Sequence, residues 1–134
     1  MPTFQLEIVT PEKTVYSGEV EQLRAPGSEG GFGVLAGHHP MLASLSIGVM
    51  VFSEQEQDPK SVAISGGFAE VQRDRVTVLA ETAEFAQDID VNRAEAARDR
   101  AREMLTRKQE QQIDETRAQL ALSRAINRLR IGGE

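Results

Sequence analysis

With 134 residues, five Phe, one Tyr, no Trp and no Cys, the chain has room for one domain, or one domain with an appendage, around a mostly aliphatic core. The missing thiols exclude disulfides, zinc-thiolate sites and thiol catalysis, and suit a reducing compartment. A net charge of −6 argues against nonspecific nucleic-acid binding as the main task.

The first apolar run, Phe4–Val9, alternates with period two and carries Glu7. It is too short for a membrane span or a signal peptide, so the expectation is a cytosolic protein that reaches a membrane only through partners. The alternation predicts a strand over residues 3–9 with one buried face. Thr10-Pro11-Glu12-Lys13 turns the chain into a second short strand at 14–16. Gly18 leads to a third at 20–25, ended by Pro26-Gly27. Further strands are predicted at 33–35, 41–45, 49–52, 61–65, 69–72 and 75–80. Gly66-Gly67 and Asp74 mark turns between the last three, and the polar stretch 53–60 reads as an exposed hairpin loop. Nine short strands at this spacing predict a sandwich or flattened barrel.

Two segments in this half look like functional motifs. Gly30-Gly31-Phe32-Gly33 imitates a phosphate cradle, but no helix pattern opens behind it to supply amides to an anion. Turns with positive φ account for it better. Gly37-His38-His39-Pro40 holds both histidines of the chain. On a strand the pair would point to opposite faces, a poor chelate with no third ligand in view, so a hydrogen-bonded turn histidine is the better reading. An enzyme centred on His38 and His39 would need a nucleophile or ligand set that the chain does not supply.

At Asp88-Ile89-Asp90 the pattern changes. Gly and Pro vanish until Gly132, and the charge balance moves from 5 basic against 13 acidic residues in 1–88 to 10 against 8 in 89–134. Asp90 is placed as a helix N-cap. Val91, Ala94, Ala97, Ala101 and Met104/Leu105 follow at helical spacing. Glu95–Arg98, Asp99–Arg102 and Glu103–Arg107 are spaced as supporting ion pairs. A second stripe takes Ala118, Ala121, Leu122, Ala125 and Leu129. Two Ala-rich stripes can approach closely as an antiparallel hairpin. Lys108-Gln109-Glu110-Gln111-Gln112 would have to turn, yet every residue in it favours helix, so a hairpin and one long helix both stay open. Straightened, residues 90–130 would reach roughly 60 Å. A weakly specified turn beside a small-residue interface suits an element with two states. Arg93, Arg100 and Arg107 recur every seven residues, as do Arg117 and Arg124, with Arg128 four further on. They line either a solvated, salt-bridged face or a cationic pocket fit for phosphate oxygens.

Several pieces, in order along the chain, resemble the epsilon subunits of bacterial F-type ATP synthases. They are Val9-Thr10-Pro11-Glu12-Lys13, Pro26-Gly27-Ser28-Glu29-Gly30-Gly31-Phe32-Gly33-Val34-Leu35, Gly37-His38-His39-Pro40, Ser65-Gly66-Gly67-Phe68, Val76-Thr77-Val78-Leu79-Ala80 and Ala125-Ile126-Asn127-Arg128-Leu129. The resemblance implies an α+β chain: a β-sandwich of about ten short strands over 1–86, followed by a two-helix antiparallel hairpin over 87–134. It implies a non-catalytic subunit of the rotor's central stalk, with the sandwich docked on the gamma subunit and the c-subunit ring. Proton-driven rotation would thereby be coupled to ATP synthesis at the cytoplasmic face of the bacterial plasma membrane, without membrane insertion. The helical tail would straighten beside gamma and inhibit ATP hydrolysis by meeting the alpha/beta catalytic head.

Some members of that family bind ATP as a regulatory ligand through Ile/Leu-Asp-x-x-Arg-Ala, matched here by Ile89-Asp90-Val91-Asn92-Arg93-Ala94. The resemblance carries further contacts to Glu84, Arg100, Arg124 and Arg128. Asp90 and Glu84 would face the adenine and ribose side, and the arginines the phosphates. No cofactor is otherwise required, and no nucleic-acid partner is implied. A free-standing ATP-sensing module, with nucleotide binding but no stable gamma complex, is the alternative reading.

Overall fold

Alternation decides the first half of the chain. In the computed structural model, which describes residues 2–106 and 115–132, Phe4, Leu6 and Ile8 turn inward on strand β1 (Phe4–Val9) and are at most 3% exposed. Burying each side chain of this size is worth about 1.5–3 kcal/mol. The other strands are β2 (Thr14–Val20), β3 (Gln22–Ala25), β4 (Phe32–Leu35), β5 (Met41–Ser53), β6 (Lys60–Val71), β7 (Arg75–Ala80) and β8 (Ala83–Phe85). Their order in the sheet is β2-β1-β7-β6-β5-β3-β4, with β8 paired to β6 beside that path. β1 runs antiparallel to β2 and parallel to β7. Val20 from one end of this order and Val34 from the other join a single apolar core with Leu23, Met50, Phe52, Ile64 and Val78. The sheet therefore wraps onto itself as a sandwich.

A sandwich followed by two helices is the architecture expected, but its strands are fewer and longer. The predicted pairs 41–45/49–52 and 61–65/69–72 are each one continuous strand, β5 and β6. These two pair in one register from Met41↔Val71 to Phe52↔Lys60. Gly66 and Gly67 are kinks within β6, at φ 104° and 140°, rather than a turn between strands. A β-carbon on Gly67 would strike the Leu79 carbonyl oxygen, so only glycine fits there. The kink separates the half of β6 that pairs with β7 from the half that pairs with β8.

The loop between β5 and β6 is exposed as expected and is pinned by Lys60 Nζ to Glu54 Oε1 at 2.7 Å. Lys60 holds the Glu54 carboxyl below its ordinary range. Tyr16 packs against Phe52, the rings tilted 44° with centroids 4.5 Å apart, and bonds to Glu54. Burial first, then that bond and the charge of Glu54, push the phenol from 10.0 up to about 12.

The chain divides into two units between Phe85 and Ala86. The second opens with a single 3₁₀ turn, Ala86–Asp88, and continues with helices α1 (Val91–Thr106) and α2 (Glu115–Gly132). Ala94 and Ala101 of α1, and Ala118 and Ala125 of α2, are at most 3% exposed. Gly132 abuts Ile89 and Val91, so α2 runs back along α1 as a closed antiparallel hairpin. Arg107 and the expected turn at 108–112 lie outside the described residues. Met104, placed on the apolar stripe, is exposed, while Leu105 is half-buried in its stead. Arg98 pairs with its neighbour Asp99 at 3.1 Å rather than with Glu95.

Candidate functional site

The residues proposed for a nucleotide fall in both units. Glu84 sits on β8, half-buried, opposite Ala63 of β6. The other six are in the helical unit. Asp90 caps α1 as its position predicts: Oδ1 accepts from the Arg93 amide at 3.1 Å, and the Asp90 carbonyl accepts from the Ala94 amide at 3.0 Å. Ala94 is 3% exposed, on the same buried stripe of α1 as Ala101.

Arg93 and Arg100 are exposed, whereas Arg124 and Arg128 are half-buried. Because the helices are antiparallel, these arginines fall at matched levels. Arg93 lies about 6 Å beyond Ile89 along the axis and Arg128 about 6 Å before Gly132. Arg100 and Arg124 follow at roughly 12–17 Å from the same end. The four arginines thus fall at two levels along the helix axes.

The two histidines lie in the turn between β4 and β5, not on a strand. Their rings stack at 4.6 Å, 28° apart, instead of pointing to opposite faces. His38 Nδ1–H donates to the His39 carbonyl oxygen at 2.7 Å, as expected of a turn histidine. Gly30, at φ 129°, closes a turn begun at Gly27, its amide donating to the Gly27 carbonyl at 3.1 Å, and Gly31 leads into β4. Among the described residues no group of three or more His, Cys, Asp or Glu could hold a metal ion. No helix among them is long and apolar enough to cross a membrane.

One surface escaped the sequence reading. On the outward face of the sheet, Phe68 (53% exposed) lies directly opposite Leu79 (51%) on β7. Its opposite number on β5 is Ser44, and Leu42 (71%) follows two residues away on the same face. Val9 of β1 stands opposite Leu79 on the other side. A folded monomer gains nothing from large apolar groups gathered here, which marks the patch as a surface for contact. The signal was present in the alternation: β6 and β7 put Phe68 and Leu79 at positions out of phase with their own core residues.

Comparison with known proteins fits these two units. Residues 3–86 match the family described as ATP synthase, Delta/Epsilon chain, beta-sandwich domain, and residues 87–133 its long alpha-helix domain. The chain is 49% identical over 131 residues to an ATP synthase epsilon chain of Nitratidesulfovibrio vulgaris, covering 98% of this chain and 96% of that one. It is 45% identical over 134 residues to the ATP synthase epsilon chain of Bacillus pumilus, covering 100% of both. In fold it is like a chain of the Euglena gracilis mitochondrial ATP synthase, at a TM-score of 0.75 and 23% identity over 92% of this chain and 78% of that one. By sequence over nearly its whole length, and by fold, the chain belongs to the ATP synthase delta/epsilon chain family and is an epsilon chain of an F-type ATP synthase.

Proposed function

We propose that this chain is the rotor subunit that joins the central stalk to the c-subunit ring, at the cytoplasmic face of a bacterial plasma membrane. The sandwich docks on gamma and on the ring, and proton-driven rotation is passed through it toward ATP synthesis. The chain itself catalyses nothing. Its helical tail opens beside gamma, meets the alpha/beta head and restrains ATP hydrolysis. ATP, a regulatory ligand rather than a required cofactor, holds the hairpin closed through Asp90, Arg93, Arg100, Arg124 and Arg128, with Glu84 on the ribose side and Ala94 in the helix contact.

The observation that carries this reading is the exposed patch of Leu42, Phe68 and Leu79 on a stiff sheet, in a chain of this family. Such a patch fits a permanent apolar partner better than it fits a free-standing sensor. The Ala-lined contact between α1 and α2 supports the second half: it buries little apolar area, so a rival surface can compete for each helix.

The test is reconstitution of the full chain, and of a form lacking 90–134, with gamma and the catalytic head. Both forms should co-elute with gamma, and the truncated form should show higher ATPase activity with coupling preserved. Failure of the full chain to bind gamma would leave the sensor reading. Equal ATPase activity of the two forms would remove the inhibitory role.

A further inference from the structure

Two parallel rows of side chains cross the outward face of β1, β7, β6 and β5. In the first, Val9, Leu79 and Phe68 stand side by side on neighbouring strands. The second lies two residues further along each strand, on the same face: Glu7 is opposite Thr77, and Thr77 is opposite Glu70. Leu42 closes this row on β5, opposite Glu70. The rise and spacing of strands put the rows roughly 7 Å apart and the α-carbons of Glu7 and Glu70 roughly 10 Å apart.

Among the described residues neither Glu7 nor Glu70 has an ion-pair partner. Gln72 Nε2 donates to Glu70 Oε1 at 3.0 Å, which leaves the charge uncompensated. Arg75 lies one level beyond, opposite Gln5, and pairs with neither carboxylate; Glu19 stands on the far side of Gln5. Glu7, Glu19 and Glu70 against Arg75 alone make this side of the sheet acidic.

We propose that the protein docked on this face presents a lysine or arginine beside its apolar contact, and that this cation seats over Thr77 between Glu7 and Glu70. The inference rests on the docking reading above and supplies the chemistry of the partner's surface. Coverage decides it. A stable interface takes about 800 Å² from each partner, a disc roughly 16 Å in radius. Centred on Phe68 and Leu79, such a disc covers the acidic row as well. Carboxylates taken out of water without a counter-charge oppose docking, so the covering surface has to bring one. Thr77 is half-buried and short, which leaves room above it, and each carboxylate strand is only about 5 Å to its side. One cation there reaches both. A second copy of this chain fits poorly, because the same face turned on itself sets acid against acid. An anionic lipid surface is repelled by the same row.

The test passes the full chain over immobilised gamma subunit across a range of salt concentrations. Glu7→Gln/Glu70→Gln keeps the shape of both side chains on an outward face, so the melting temperature should hold while the charges go. At low salt this double variant should bind about tenfold or more weakly than the native chain, and its affinity should depend less on salt. Glu7→Lys/Glu70→Lys should bind more weakly still. An affinity unchanged or raised in the glutamine variant would overturn the proposal; if Phe68→Glu still weakened binding, the docking reading would survive it. Binding indifferent to Phe68→Glu as well would sink both. Sedimentation of the native chain as a dimer that Phe68→Glu disperses would overturn the proposal in favour of a second copy. Pelleting with phosphatidylglycerol vesicles, lost in Phe68→Glu, would overturn it in favour of lipid.

Discussion

A β-carbon added to Gly132 would sit 3.0 Å from Ile89 Cγ2, so the last turn of α2 rests directly on Ile89, two residues before the start of α1. Ile89 is 8% exposed and Ile131 3%, so both isoleucines are buried at this end of the hairpin. Gly132→Val is expected to wedge the ends apart and to destabilise the helical unit by about 1–2 kcal/mol. A lowered midpoint in helical circular dichroism checks this. An unchanged midpoint would mean that the end yields without cost.

Phe68→Glu places a charge in the middle of the outward patch, opposite Leu79. The isolated chain should lose little stability, since an exposed substitution shifts it by about 0.5 kcal/mol and a lost cross-strand pair by at most about 1 kcal/mol. Affinity for gamma should fall by at least roughly tenfold, as when an apolar anchor is removed from an interface. Biosensor binding measures the second and thermal melting the first. A mutant that binds gamma as well as the parent would move the docking surface elsewhere.

Tyr16 is the only tyrosine and there is no tryptophan, so tyrosinate absorbance reports this one group. Its titration should centre near 12, not 10.0. The phenol's pKa is raised on folding, so its contribution to stability is complete below pH 10 and is lost as pH climbs through about 12. Glu54 works in the opposite direction: with its carboxyl held low by Lys60, its share is present above the ordinary carboxylate range and disappears as pH falls through the depressed value. Glu54→Gln should bring the Tyr16 titration down but leave it above 10.0, because burial is the larger cause.

Asp90→Asn separates two roles of one side chain. Asparagine caps a helix about as well as aspartate, so helicity should hold within a few tenths of a kcal/mol. Asp90→Ala should cost about 1 kcal/mol. If the carboxylate also meets ATP, calorimetry should show weaker binding for Asp90→Asn despite the intact helix. Equal affinity in the two proteins would confine Asp90 to capping.

Local pattern made much of this structure legible. The inward face of β1, the cap at Asp90, and the alanine pairs 94/101 and 118/125 follow from period, residue size and capping chemistry. What escaped depends on contacts distant in sequence. The strands predicted at 41–45 and 49–52 are one: between them the Ser46 amide donates to the Pro26 carbonyl at 2.9 Å, and the strand continues. Gly48 lies within the same strand, where a β-carbon would sit 2.8 Å from Pro26 Cβ, so the glycine admits the end of the neighbouring strand β3. Ala83–Phe85 is too short to show a period and pairs only because the kinked half of β6 offers an edge. Asn127 reads as a surface residue but is 6% exposed, with Arg130 Nη2 donating to its Oδ1 at 3.3 Å. For the nucleotide candidates, sequence gave positions along each helix; only the packing of Gly132 against Ile89 sets their levels against each other.

The single register from Met41↔Val71 to Phe52↔Lys60, kept across a gap at Ser46 and Gly66, has a mechanical meaning for the proposed role of a part that turns under load. A tug entering at one end of that ribbon acts along the strands, so it must shear many bridges together instead of unzipping them singly. Torque can then cross the sandwich as through a stiff key, while the glycine kink bends the ribbon without cutting it.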